Sequence, residues 1–185
     1  AEKTFGDPPF ILSAFASSGL PVSFSLLSGP ATFSGNTLRL MGAGSVRLRA
    51  SQAGDTTYPP ADDVEQTLIV SKAQQTITFS VINDRTLSGS PFELTGSSSS
   101  GLPVVFSLVS GPATLSGSTV TLTGGGGVVV RASQGGGPNH ESAEDVERSF
   151  MVSSDSSDRT LNGRVTLFGE GQTPVPAVFV RVNVD

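Results

Sequence analysis

Apolar residues fall at every second position in a series of short runs along the chain. Phe10 and Leu12 form one pair. Val22, Phe24 and Leu26 form the next run, followed by Leu38 and Leu40, then Val46, Leu48 and Ala50, then Leu68 and Val70. Successive side chains of a strand point to opposite faces, so a period of two predicts half-buried β-strands. The pattern recurs 82 residues later, as Phe92 and Leu94, Val104, Phe106 and Leu108, Val120 and Leu122, Val128, Val130 and Ala132, and Phe150 and Val152. Comparison of the two series separates the faces. Ile11, Ser13 and Phe15 become Glu93, Thr95 and Ser97, so that set faces outward. Phe24, Leu40, Leu48, Phe106, Leu122 and Val130 are expected to be buried. Val64 and Val146 also fit the core, which puts Gln66 and Arg148 on the same side; a bulge is expected there.

The recurrence is a repeat of a whole domain. The stretch Ser18-Gly-Leu-Pro-Val-Ser-Phe-Ser-Leu-Leu-Ser-Gly-Pro-Ala-Thr-Phe-Ser-Gly35 returns as Ser100-Gly-Leu-Pro-Val-Val-Phe-Ser-Leu-Val-Ser-Gly-Pro-Ala-Thr-Leu-Ser-Gly117. The match runs without a gap from Lys3/Arg85 to Val70/Val152, which means two copies of one unit. Turn signals separate the runs: Ser18-Gly19, Ser28-Gly29-Pro30, Gly35-Asn36 and their copies. Gly42-Ala43-Gly44 and Gly124 to Gly127 read as tight hairpin connections. Gln52 to Asp63 and Gln134 to Asp145 read as long loops before the last strand. Short strands at such spacing predict an all-β fold of tandem immunoglobulin-like β-sandwiches.

Three units follow. Residues 1–72 are the first copy, without its leading strand, because the counterpart of Gln75 to Phe79 falls ahead of Ala1. Residues 73–154 are the second copy. Residues 155–185 are a partial third β unit or a strand-donating tail: about 30 residues do not make a sandwich alone. The linker Ser71 to Gln75 is short, so a semi-rigid pair joined end to end is expected. The open edge of the first copy is expected where a boundary has clipped the strand. Donation in trans is the second expectation, because Val178 to Val184 alternates well enough to fill a neighbour's edge.

Composition narrows the function classes. The 22 glycines and 12 prolines accompany regular alternation, so they mark turns rather than disorder. The net charge is −5, and the 11 basic residues are dispersed, which disfavours nucleic acid as a partner. There is no cysteine, which excludes disulfides, thiolate metal sites and a cysteine nucleophile. Membrane insertion is not expected, since no apolar run approaches the roughly 20 residues of a spanning helix. Ala1 to Phe5 do not open a signal peptide, and a mature product or excised fragment is expected.

Candidate chemistry is sparse. His140 is the single histidine, too few for a zinc site, and it reads as structural or solvated. Asp62, Asp63 and Glu65 recur as Glu144, Asp145 and Glu147. They could supply some of the six to eight oxygens calcium takes, but no Asp-x-Asp-x-Asp-Gly loop accompanies them, and a solvated face is the plainer reading. No Gly-x-Ser-x-Gly elbow occurs, and the glycines of Gly96 to Gly101 are followed by Leu102-Pro103 rather than Lys-Ser/Thr. No catalytic residue, metal ligand or cofactor is assigned, and no enzyme activity is expected. With no Trp and one Tyr, Tyr58, on a loop, an aromatic sugar platform is not apparent. Lys3 and Lys72 lie at unit edges, away from the buried setting a Lys–Asn/Asp crosslink would need.

Lys3 to Phe10 (Lys-Thr-Phe-Gly-Asp-Pro-Pro-Phe), Ser17 to Val22, Ser28 to Thr32, Ala50 to Asp55 and Gln75 to Phe79 together resemble a family of bacterial immunoglobulin-like repeats of long surface and secreted proteins. The resemblance covers about residues 1–154. It implies extracellular spacer or stalk repeats in adhesin-like proteins, partnered by neighbouring repeats and, by strand donation, other copies in an array or fibre. It carries over no catalytic residues. A protein- or glycan-binding adhesion module is the alternative. The second copy departs from the pattern at Gly135 to His140, where the first keeps Ala53 to Tyr58. The tail, with Gly163-Arg-Val and Pro174-Val-Pro, weakly resembles the start of carboxypeptidase-regulatory-like or collagen-adhesin B-type domains.

Overall fold

A computed structural model describes residues 2–154; the expectations for residues 155–185 lie outside them. The first copy contributes β1 (Lys3–Thr4), β2 (Phe10–Ile11), β3 (Ser23–Ser28), β4 (Ala31–Ser34), β5 (Thr37–Leu40), β6 (Gly44–Gln52) and β7 (Ala61–Ser71). The second contributes β8 (Ile77–Phe79), β9 (Arg85–Thr86), a 3-10 turn (Leu87–Gly89), β10 (Phe92–Glu93), β11 (Gly96–Ser98), β12 (Val105–Ser110), β13 (Ala113–Ser116), β14 (Thr119–Leu122), β15 (Gly126–Ser133) and β16 (Val146–Ser153).

The chain is all-β, two immunoglobulin-like sandwiches in tandem. In the first, the sheet β1-β7-β6-β3 belongs with the sheet β2-β5-β4; in the second, β9-β16-β15-β12 belongs with β10-β14-β13. β1 runs parallel to β7, and β9 parallel to β16. The remaining pairings are antiparallel. A two-stranded ribbon, β8 with β11, completes the second copy. The counterpart of β11, residues 14–16, is in no strand.

The alternating residues make the cores. Leu38 and Val46 are fully buried in the first copy, with Leu40, Leu48 and Val70 around them. Val120, Val128, Val130 and Ala132 are fully buried in the second, with Phe79, Leu94, Leu122, Phe150 and Val152. Ile11 and Phe15 face outward as expected, at 75% and 94% exposure.

Three expectations are corrected. Phe24 and Phe106 are half-buried rather than buried, because both stand on edge strands of their sheets, β3 and β12. No bulge separates Val64 from Gln66: Leu48 pairs Gln66 and Ala50 pairs Val64 in unbroken register, and the shift falls at Ala50/Gln52 on the facing strand. Gln66 and Arg148 therefore do point to the inner side. Finally, the glycine clusters Gly42 to Gly44 and Gly124 to Gly127 are not hairpins. They carry the chain from β5 to β6 and from β14 to β15, which lie in different sheets. The Ser-Gly-Pro breaks make the same kind of crossing, and there glycine is required. Gly29 has φ of +107°, and a Cβ on it would lie 2.3 Å from the Ser45 carbonyl oxygen.

The leading strand explains the polar residue on the inner face of the second copy. Phe79 on β8 is 3% exposed and packs on Phe106 with ring centroids 5.2 Å apart. Arg148 reaches across, its Nε donating to the Phe79 carbonyl at 3.1 Å. Gln75, just ahead of β8, is 6% exposed. Its amide donates to Gln134 Oε1 and to the Glu141 carbonyl, and its Oε1 accepts from Ser100 Oγ. No buried side-chain polar atom of this strand lacks a partner, as burial demands.

Leu38→Ala should lower stability by about 2–5 kcal/mol, the range for emptying a buried leucine site. Phe15→Ala, at an exposed site, should change it by less than about 0.5 kcal/mol. Urea unfolding of the two variants checks both values.

Candidate functional site at the junction of the repeats

The linker between the copies is tied down on both sides. The Phe5 N–H donates to the Ser71 carbonyl at 2.9 Å. The Ala73 N–H donates to the Asn139 carbonyl, and the Glu141 N–H donates to the Ala73 carbonyl, each at 2.9 Å. Ala73 and His140 thereby form a parallel β-bridge.

The loop that makes these bonds also reaches back to the first copy. Asn139 Oδ1 accepts the Ala43 N–H at 2.9 Å. The His140 ring stands edge-on to Phe5, 5.5 Å between centroids at 85°. Gly42 is buried beneath this contact, where a Cβ would come within 3.0 Å of Asn139 Oδ1. The loop takes this path because Gly136, at φ +82°, turns it. The turn is held by Gly137 N–H to the His140 carbonyl and by Gly136 N–H to Gln134 Oε1. The equivalent loop of the first copy is built differently, as an Asx turn in which Asp55 Oδ1 accepts from the Thr57 and Tyr58 N–H groups.

Sequence reasoning read His140 as structural or solvated and did not single out Asn139. The signal was available: the departure of Gly135 to His140 from the first copy's Ala53 to Tyr58 falls on the segment that touches the neighbouring repeat.

The acidic residues pair with arginines across the strands. Arg47 and Arg49 on β6 donate to Glu65 at 2.7 and 2.9 Å, and Arg49 lies 3.4 Å from Asp63. In the second copy Arg131 binds Glu147 at 2.7 Å and lies 3.6 Å from Asp145. Among the described residues no group of three or more His, Cys, Asp or Glu side chains is placed to hold a metal ion. Asp62 and Asp63 lie within β7, which begins at Ala61, while Glu144 and Asp145 precede β16. The hydrogen bond from Arg49 lowers the Glu65 pKa below its ordinary 4.5, aided by the charge of Arg47. Hydrogen bonds from Ser118 and then Thr119 do the same for Glu93. The bond to Glu147 raises the Arg131 pKa.

No helix among the described residues is long and apolar enough to cross a membrane. No protein-family model matches the chain, and no curated protein sequence is similar to it. Solved structures that resemble it include cadherin ectodomains. Protocadherin gamma B2 domains 3–6 match at 11% identity and a TM-score of 0.41, over 84% of this chain and 49% of that one. Mouse protocadherin-24 EC1-3 matches at 12% identity and 0.38, over 94% and 70%. Drosophila N-cadherin EC1-4 matches at 11% and 0.33, over 83% and 46%. The chain spans about half the length of the first of these structures.

A carboxyl with a lowered folded-state pKa stabilises the fold fully above its unfolded value, and the contribution is lost as pH falls through the folded value. Glu65 should therefore titrate below 4.5 in carbon-13 NMR, and Arg49→Met should move its midpoint back up. Acidification below about pH 4.5 should erode the Glu65 contribution to stability, and Glu65→Gln should remove that part of the dependence.

Proposed function

We propose that the chain is a structural spacer, a piece of the stalk of a bacterial extracellular surface or adhesin-like protein, without enzymatic activity. Its units are residues 1–72, 73–154 and a third beginning at 155, and its partners are neighbouring repeats of the same kind. The observation that carries this reading is the junction. A spacer transmits position, so consecutive units need a defined angle, and a five-residue linker free of other bonds would not provide one. Here the linker backbone, the Asn139 side chain and the Phe5–His140 contact all cross from one copy to the other. Interfaces between domains of one chain are otherwise expected to move.

A protein-binding module is the second reading, favoured by the outward Ile11 and Phe15 of the first copy, exposed at 75% and 94%. Contiguous exposed apolar surface marks interaction sites, and both residues lie on the outward side of the same stretch of chain. Screening the chain against glycans and matrix proteins separates the two readings, since a spacer binds none of them specifically.

Asn139→Ala removes the bond to Ala43 without touching either core. Residual dipolar couplings should then show a wider spread of orientations between the two copies, while the unfolding free energies of the cores change by less than about 1 kcal/mol. Unchanged couplings would mean that the junction does not set the angle.

A further inference from the structure

We propose that the first copy carries a receiving slot for an extended strand of the pattern Gln-x-Ile-x-Phe, the leading strand of a repeat of this class. The second copy shows the filled form. There β8 lies antiparallel to β11, with Ile77 opposite Ser98, Thr78 opposite Ser97 and Phe79 opposite Gly96. Phe79 is buried against Phe106, and Gln75 is buried among Gln134, Ser100 and the Glu141 carbonyl.

In the first copy the receiving groups recur at the same offset. Phe24 stands for Phe106, Leu12 for Leu94, Gln52 for Gln134, Ser18 for Ser100, and residues 14–16 for β11. Between them lies an open groove of about 800 Å³, lined by Leu12, Ala14, Phe24, Gln52 and Val64 among others. Its walls are more exposed than in the filled copy: Leu12 is half-buried where Leu94 is 5% exposed, and Val64 is 57% exposed where Val146 is half-buried. Gln52 is 7% exposed and stands where Gln134 accepts from Gln75 and from Gly136 in the second copy. A glutamine on the arriving strand supplies Gln52 with the partner that Gln75 supplies to Gln134. Backbone bonds to residues 14–16 would add affinity, and the Gln and Phe sites would add specificity, as in strand addition generally.

One position shapes the fit. Ala14 replaces Gly96, where a Cβ would lie 3.1 Å from Phe106 Cζ and 3.3 Å from the Thr78 carbonyl. The arriving strand therefore seats a few tenths of an ångström farther out than β8 does. Residues 155–185 do not have the required pattern. Their single glutamine, Gln172, is followed by Pro174 and Pro176 at the Ile and Phe positions, and proline withholds the N–H that a paired strand donates. Val178 to Val184 has Val175, not glutamine, four residues ahead of Phe179.

The inference deepens the reading of the chain as a repeat partnered by repeats, and its test is independent of the junction angle. A fluorescent peptide of residues 73–80 is titrated into the full chain and followed by anisotropy, with nitrogen-15 NMR to locate the contact. Saturable one-to-one binding is expected, with shifts at Ala14 to Ala16, Phe24 and Gln52. A Phe79→Ala peptide should bind about tenfold or more weakly, and a Gln75→Ala peptide should also be weakened. Joining residues 72–82 ahead of Ala1, which reproduces the spacing of the second copy, should raise the unfolding midpoint of the first copy. The same fusion with Phe79→Ala should raise it less. The proposal is overturned if the fusion leaves the midpoint unchanged, if the Phe79→Ala peptide binds equally well, or if shifts appear only in the second copy. Binding that requires removal of residues 155–185 would make that segment the occupant and overturn it as well.

Discussion

A sandwich of this size has a core about one side chain thick, so each strand that flanks it must be present for the core to be dry. That constraint governs the whole chain. With β8 in place, Phe79 and Leu94 are buried, Phe106 has an aromatic neighbour, and the polar Arg148 on the inner face has a carbonyl to donate to. Where no such strand lies among the described residues, the same sequence positions read differently. Leu12 and Val64 lose cover, and Gln66 is exposed. The two copies thus act as a natural comparison in which one element is added to a nearly constant scaffold.

The alternation of apolar residues made the sheets and most of the core legible. Leu38, Leu40, Val46, Leu48 and Val70 repeat as Val120, Leu122, Val128, Val130 and Val152, and all ten are buried. What alternation could not decide was connectivity. Gly42 to Gly44 suits a tight reversal within a sheet or a crossing between sheets equally well, because both need small residues. Only the pairing of β5 with β4 and of β6 with β7 shows that it is a crossing. Alternation also could not account for Gln66 and Arg148. A charged residue in phase with valines looks like a register error, and a bulge is the local remedy. The actual partner of Arg148 is a carbonyl 69 residues away, a long-range contact that periodicity does not encode.

The junction was legible only in hindsight, for a physical reason. Two copies of one domain share the residues that build the domain, so comparison highlights the core and treats divergence as noise. Contacts between copies are under no such symmetry, since the trailing end of one unit and the leading end of the next present different surfaces. Asn139 and His140 stand where the first copy has Thr57 and Tyr58. In the first copy these positions close an Asx turn on Asp55, and Tyr58 is 48% exposed. In the second they bind the neighbour.

The carboxylate–arginine pairs fit the same logic. A solvent-facing sheet of long antiparallel strands such as β6 and β7 exposes side chains in rows, and bare apolar or single-sign rows invite unwanted pairing. Arg47, Arg49, Asp63 and Glu65 place both signs on that row and satisfy them across strands; Arg131, Asp145 and Glu147 repeat the device. Exposed pairs of this kind add little stability each, so their value lies in keeping the broad face soluble and unpaired. Under the proposed function, association is left to the places where the rows stop. One is the end of the sandwich, where Asn139 meets Ala43. The other is the flank beside residues 14–16, where Leu12, Phe24 and Val64 line an open groove. The proposed spacer needs faces that stay apart and an end and a flank that join repeats, and this distribution of charge and apolar surface is the one that role requires.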